Sequence, residues 1–142
     1  MEDRVADKIN EIEIFLEELN SSLPLNFEEY EKDFKIRAIC ERYFEKIVEA
    51  VVDLAYLFIK FKRFNIPERE KELFELLARK EIISERLALK LKDAKGMRNI
   101  LAHEYGEIDD EQVFESVTEE LIKDVVEFIE ALQKNKQENK ND

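Results

Sequence analysis

Ala50-Val51-Val52-Asp53-Leu54-Ala55-Tyr56-Leu57-Phe58-Ile59-Lys60-Phe61 is the most apolar run of the chain, interrupted only by Asp53 and Lys60. It is too short and too charged to span a bilayer. The same character extends upstream through Ile36, Ala38, Ile39, Tyr43, Phe44, Ile47 and Val48. A helix apolar over so much of its circumference has no natural solvent side, so it belongs at the centre of a helical domain, covered on several sides. One long element from about Phe27 to Phe64 is expected, and its apolar excess also points to an oligomer interface. Asp53 inside the run must be paired or lie at an edge, because an uncompensated buried carboxylate is costly. An exposed or capping aspartate and a role in a functional site both remain open for it.

Amphipathic helices flank this centre. Upstream, Val5, Ile9, Ile12, Leu16 and Leu19 recur at spacings of three and four, which draws one apolar stripe. Asn20-Ser21-Ser22-Leu23-Pro24 ends that helix, and Asn26 is placed to cap the next. Downstream, Asn65-Ile66-Pro67 breaks the chain, with Pro67 suited to a helical first turn. Leu73, Leu76 and Leu77 mark a short helix ending near Ile82 and Ile83. A fourth helix opens at Ser84 and Glu85 and carries Leu87, Leu91, Ala94, Leu101 and Tyr105 on its apolar side. Gly96 lies within it, where a neighbouring helix or a phosphate has room to approach. Gly106 is placed to stop it. Asp109-Asp110-Glu111 opens the last helix, with acids at the positive end of its dipole. Its stripe is Val113, Val117, Leu121, Val125, Phe128 and Leu132. The expected fold is an all-α, up-and-down bundle of about five helices over residues 1–133, followed by a polar tail, 134–142, that frays.

Composition agrees. In 142 residues, 44% are hydrophobic and 41% charged, with two Gly, two Pro and no Trp. That leaves little material for tight turns and favours long helices in a single soluble domain. One cysteine, Cys40, permits no internal disulfide, so a reducing, cytoplasmic setting is expected. Cys40 lies in an apolar helical run and reads as a buried small hydrophobe. The first residues lead straight into an amphipathic pattern, with no signal segment expected. A net charge of −12 argues against nonspecific coating of nucleic acid. Locally the balance reverses: from Ser84 to Arg98, Arg86, Lys90, Lys92, Lys95 and Arg98 face only Glu85 and Asp93.

This basic segment runs into Arg98-Asn99-Ile100-Leu101-Ala102-His103-Glu104-Tyr105, which holds the one histidine of the chain. Metal-independent RNA cleavage needs a base for the 2′-hydroxyl proton, positive charge on the phosphorane, and an acid for the leaving oxygen. Imidazole suits proton transfer near neutral pH, and guanidinium suits the phosphate. Asn99 is a candidate to orient the imidazole or a phosphate oxygen, and Tyr105 to donate to phosphate or stack on a base. A structural histidine hydrogen-bonded at a helix end is the alternative. No metal-ligand constellation, glycine-rich phosphate loop or Ser-His-Asp order stands out, and no cofactor is expected. On a regular helix Arg98 and His103 point about 140° apart. Either the helix loosens before Gly106, or a second copy across a two-fold axis completes the site, which predicts a homodimer.

Arg98, four residues, His103, one residue, Tyr105 resembles the Arg-x4-His-x-Tyr signature of HEPN domains. More narrowly, the order of elements and the continuation into Ile108-Asp109 resemble the HepT toxins, also described as DUF86 proteins. The family more often has Val where Ala102 stands. The resemblance implies a small all-α dimer acting as a metal-independent ribonuclease toxin, with Arg98 and His103 catalytic in the dimer cleft. It further implies an antitoxin partner, a minimal nucleotidyltransferase related to MntA, that neutralises the toxin by transferring AMP to Tyr105. A non-catalytic module that binds the nucleotidyltransferase or a nucleotide is the competing expectation.

Overall fold

The computed structural model describes residues 2–103 and 108–139. Seven α-helical stretches follow one another in these residues: α1 (Glu2–Ser22), α2 (Phe27–Lys32), α3 (Phe34–Phe61), α4 (Leu73–Arg79), α5 (Glu85–His103), α6 (Asp110–Glu115) and α7 (Leu121–Asn139). A 3-10 turn, Glu70–Glu72, precedes α4, and a π-helical turn, Ser116–Glu120, joins α6 to α7. No strand occurs among the described residues.

The centre is α3. Cys40, Phe44, Ile47, Val48, Ala50, Val51, Val52, Leu54, Ala55, Leu57, Phe58 and Ile59 are all buried. The coverage comes from α1 along its length, with α2, α4, α5, α6 and α7 on the remaining sides. The apolar excess of this helix is therefore used within one chain and does not by itself argue for an oligomer. The α1 stripe, Val5, Ile9, Ile12, Leu16 and Leu19, is buried as its spacing predicts. Phe27, Tyr30 and Phe114 form an aromatic cluster between α2 and α6, and Phe74 of α4 meets Phe128 of α7 edge-on at 5.9 Å.

The expected long second helix is instead two helices. Asp33 interrupts it with an extended backbone, and its carboxylate accepts from the amides of Lys35 and Ile36. An aspartate satisfies helix-start amides better than it continues a helix, so the polar opening became a separate turn. Asn26 caps α2, accepting from Glu29 N at 2.9 Å, and Ser84 caps α5, accepting from Leu87 N at 3.0 Å. Pro67 is not in a helix; two residues, Glu68 and Arg69, separate it from the 3-10 turn. Two helix ends are closed without glycine. Arg63 after α3 (φ 61°) and Glu81 after α4 (φ 60°) are left-handed, and Phe64 N and Ile82 N reach back to Ile59 O and Leu77 O. These are the bonds of Schellman caps, on residues that prefer other conformations.

The final helical run carries Val113, Val117, Leu121, Val125, Phe128 and Leu132, all buried. Three successive four-residue steps drift about 120° around an ideal helix. The wider π turn at Ser116–Glu120 takes up that drift and keeps the stripe on the core. The polar segment from Lys134 continues the helix to Asn139, with Lys62 Nζ donating to Asn135 O at 2.9 Å.

Candidate active site

The Arg98–His103 segment is helical to its last residue. α5 ends at His103, so the helix does not loosen before the imidazole, and the angle of about 140° between Arg98 and His103 stands. His103 is exposed, at the C-terminal end of α5. Arg98 points elsewhere: its side chain is only 17% exposed, and its Nη2 donates to Glu70 Oε1 at 3.3 Å. Asn99 Oδ1 accepts from Arg98 Nε at 2.9 Å, so the carboxamide orients the guanidinium rather than the imidazole. Within one chain Arg98 and His103 are thus held apart. Tyr105, Glu104 and Gly106 lie outside the described residues.

The basic segment before the motif looks different once folded. Arg86 pairs with Glu127, Lys90 with Glu120 and more distantly Asp124, and Lys92 with Glu75. The local cationic excess is therefore largely an ion-pair fabric tying α5 to α4 and α7. Lys95 and Arg98 are the exception, both drawing on one oxygen, Glu70 Oε1, at 3.6 and 3.3 Å. Glu70 went unnoticed in the sequence because it lies 28 residues before Arg98. The signal available was the spacing of Lys95 and Arg98, which puts two cations on one helix face and calls for an acid opposite.

Asp53 sits at an edge. Its side chain is 60% exposed, and Lys8 Nζ lies 3.9 Å away. Partial desolvation pushes its carboxyl upward despite Lys8. Cys40 is buried, and burial pushes its thiol up to about 11, which suits the small-hydrophobe reading. A cavity of about 680 Å³ opens between α5 and the π turn, lined by Gly96, Met97, Ile100, Gln112, Glu120 and Asp124 among others, but not by Arg98, Asn99 or His103. At Gly96 no atom of the described residues would come within 4 Å of an added Cβ, so none of them uses the room that glycine leaves. Among the described residues no group of three or more His, Cys, Asp or Glu is arranged to hold a metal.

Comparison with known proteins places these features. The family model "Ribonuclease HepT-like" matches residues 9–132. The chain is 28% identical over 104 residues to an mRNA nuclease HepT of Shewanella oneidensis, covering 73% of this chain and 77% of that one. It is 27% identical to a tRNA nuclease HepT of Aphanizomenon flos-aquae, covering 73% and 71%. A solved structure of a tri-AMPylated Shewanella oneidensis HEPN toxin in complex with MNT antitoxin superposes with a TM-score of 0.85 at 25% identity, covering 94% and 99%. A toxin–antitoxin crystal structure with AMP-PNP superposes with a TM-score of 0.84 at 23% identity, covering 93% and 98%, a likeness of fold. No helix of the described residues is long and apolar enough to cross a membrane. The chain belongs to the ribonuclease HepT-like family.

Proposed function

We propose that this protein is a metal-independent endoribonuclease toxin, with His103 transferring protons and Arg98 stabilising the phosphorane, and that two copies form its site. The observation that carries the reading is the motif itself on α5, with an exposed imidazole and a half-buried guanidinium primed by Asn99 and charged for phosphate. Because the two groups diverge by about 140° on an unbroken helix, one chain does not converge them on one phosphate. The surface of α5 supports a second copy. Leu89 is 62% and Ile100 52% exposed, and with Gly96 and His103 they follow one stripe of the helix. A small residue between two exposed apolar ones suits the crossing of a symmetry-related helix.

The reading extends to a partner. The Shewanella structure pairs an AMPylated toxin with its antitoxin, and this chain has Tyr105 two residues after His103. We infer that a cognate MntA-like nucleotidyltransferase transfers AMP to Tyr105. The added phosphate would place negative charge and bulk beside the site and exclude RNA. We place this pair in the cytoplasm, a reading with which the single free cysteine, Cys40, is compatible.

The test is cleavage of RNA by the purified protein in excess EDTA. Wild type is expected to cleave, and His103→Ala to lose about 10²–10⁴-fold in rate, with an unchanged melting temperature because His103 is exposed. Cleavage that stops with EDTA, or that survives in His103→Ala, contradicts the mechanism. A non-catalytic module would bind the nucleotidyltransferase and cleave no RNA.

A further inference from the structure

Five cations of α5 make ion pairs with acids from other elements, and three of them differ from the other two in one respect. Arg86, Lys90 and Lys92 each have at least one carboxylate of their own. Lys95 and Arg98 share one, Glu70, and both reach the same oxygen of it. They are also the least exposed of the five, at 14% and 17% against 58%, 34% and 46%. Less water around a pair of cations means less screening, so this is where a positive potential survives in a chain of net charge −12. The carboxylate that fills the gap is itself 41% exposed and belongs to a three-residue 3-10 turn that has no side-chain cap at Arg69. Such a turn is held by few and poorly aligned hydrogen bonds, and it can withdraw its side chain at small cost.

We propose that Glu70 is a displaceable stand-in for an RNA phosphate, and that Lys95 is a second phosphate-binding cation beside Arg98. The geometry is that of an anion site already occupied. Two cations from successive turns of α5 converge on one oxygen, Arg98 through a hydrogen bond at 3.3 Å and Lys95 as an ion pair at 3.6 Å, as they would on a non-bridging phosphodiester oxygen. Asn99 holds the guanidinium from the other side, so Arg98 keeps its aim when the carboxylate leaves. A phosphodiester carries one negative charge, as the glutamate does, and the exchange leaves the local balance unchanged. RNA binding is then a competition between an intramolecular and an incoming anion. Glu70 weakens binding in general and discriminates against ligands that present too little phosphate to displace it.

This inference rests on the ribonuclease reading of Arg98, and its test separates the two. The probe is a short single-stranded DNA oligonucleotide, which presents phosphates but lacks the 2′-hydroxyl needed for cleavage. Binding is measured over a range of salt for wild type, Glu70→Gln and Lys95→Met, with melting temperatures confirming folded protein. Glu70→Gln is expected to tighten binding about fivefold, the upper end of what a half-exposed ion pair holds back. Lys95→Met is expected to weaken it and to reduce the salt slope by about 0.7, the loss of one single-strand phosphate contact. Unchanged or weaker binding by Glu70→Gln, or unchanged affinity and slope in Lys95→Met, overturns the proposal. RNA cleavage in EDTA is followed on the same preparations. Cleavage without these binding effects sinks the stand-in and leaves the nuclease; the binding effects without cleavage do the reverse.

Discussion

Arg98 illustrates why a motif read as a string differs from a motif in place. The string puts arginine and histidine five residues apart and invites a single site. The helix turns them about 140° from each other, gives the arginine to Glu70 and Asn99, and leaves the histidine in solvent. The residue types were legible, because proton transfer and phosphate binding require them. Glu70 was not, because ion-pair partners on other helices leave no local pattern. Tyr105 is the third member, and its proposed role is testable apart from cleavage. Incubation with ATP and the cognate nucleotidyltransferase should add AMP to the peptide containing Tyr105, read by mass spectrometry. Label confined to other peptides would reject the assignment.

At the scale of elements, apolar spacing located α1, α3, α5 and the last helical run, and capping side chains located several starts. Asn26, Ser84 and Asp109 each accept helix-start amides. The ends were less legible. Glycine usually marks a left-handed stop, and here Arg63 and Glu81 take that conformation instead. Asp33 was read as part of a polar helix face, and its preference for capping split the helix. The π turn was hidden in the run of four-residue steps, which looks regular until the drift is summed.

The contact between α5 and α7 gives a pH prediction. Asp124 on α7 is buried, with Lys90 4.0 Å away, and desolvation raises its carboxyl above the usual value of 3.8. The folded chain then binds a proton more readily than the unfolded one. Asp124 therefore costs stability above the raised value, and that cost is relieved as pH falls toward 3.8. Asp124→Asn is expected to stabilise the protein by about 1 kcal/mol at pH 7, with Lys90 keeping Glu120. The advantage should shrink on acidification in thermal melts of both proteins. A variant less stable at pH 7, or an advantage that grows with acid, would show that the Lys90 pair outweighs desolvation.

For the whole molecule, the all-α bundle follows from a chain with one dominant apolar helix and almost no turn-forming residues. The surface that suits a second copy is on α5, not on α3. The apolar surface of α3 is covered within the chain, and the exposed stripe of α5 takes its place, ending at His103. In the proposed reading assembly and chemistry become one claim, that Arg98 of one copy and His103 of the other act on the same phosphate. Mixing two inactive variants tests it most directly. Arg98→Ala and His103→Ala are each expected to be inactive, and an equimolar mixture that has exchanged subunits to regain about a quarter of wild-type RNA cleavage in EDTA, since half the dimers are mixed and each has one intact site of two. A mixture as inactive as its components, with subunit exchange verified by mass, would contradict a site built from both copies.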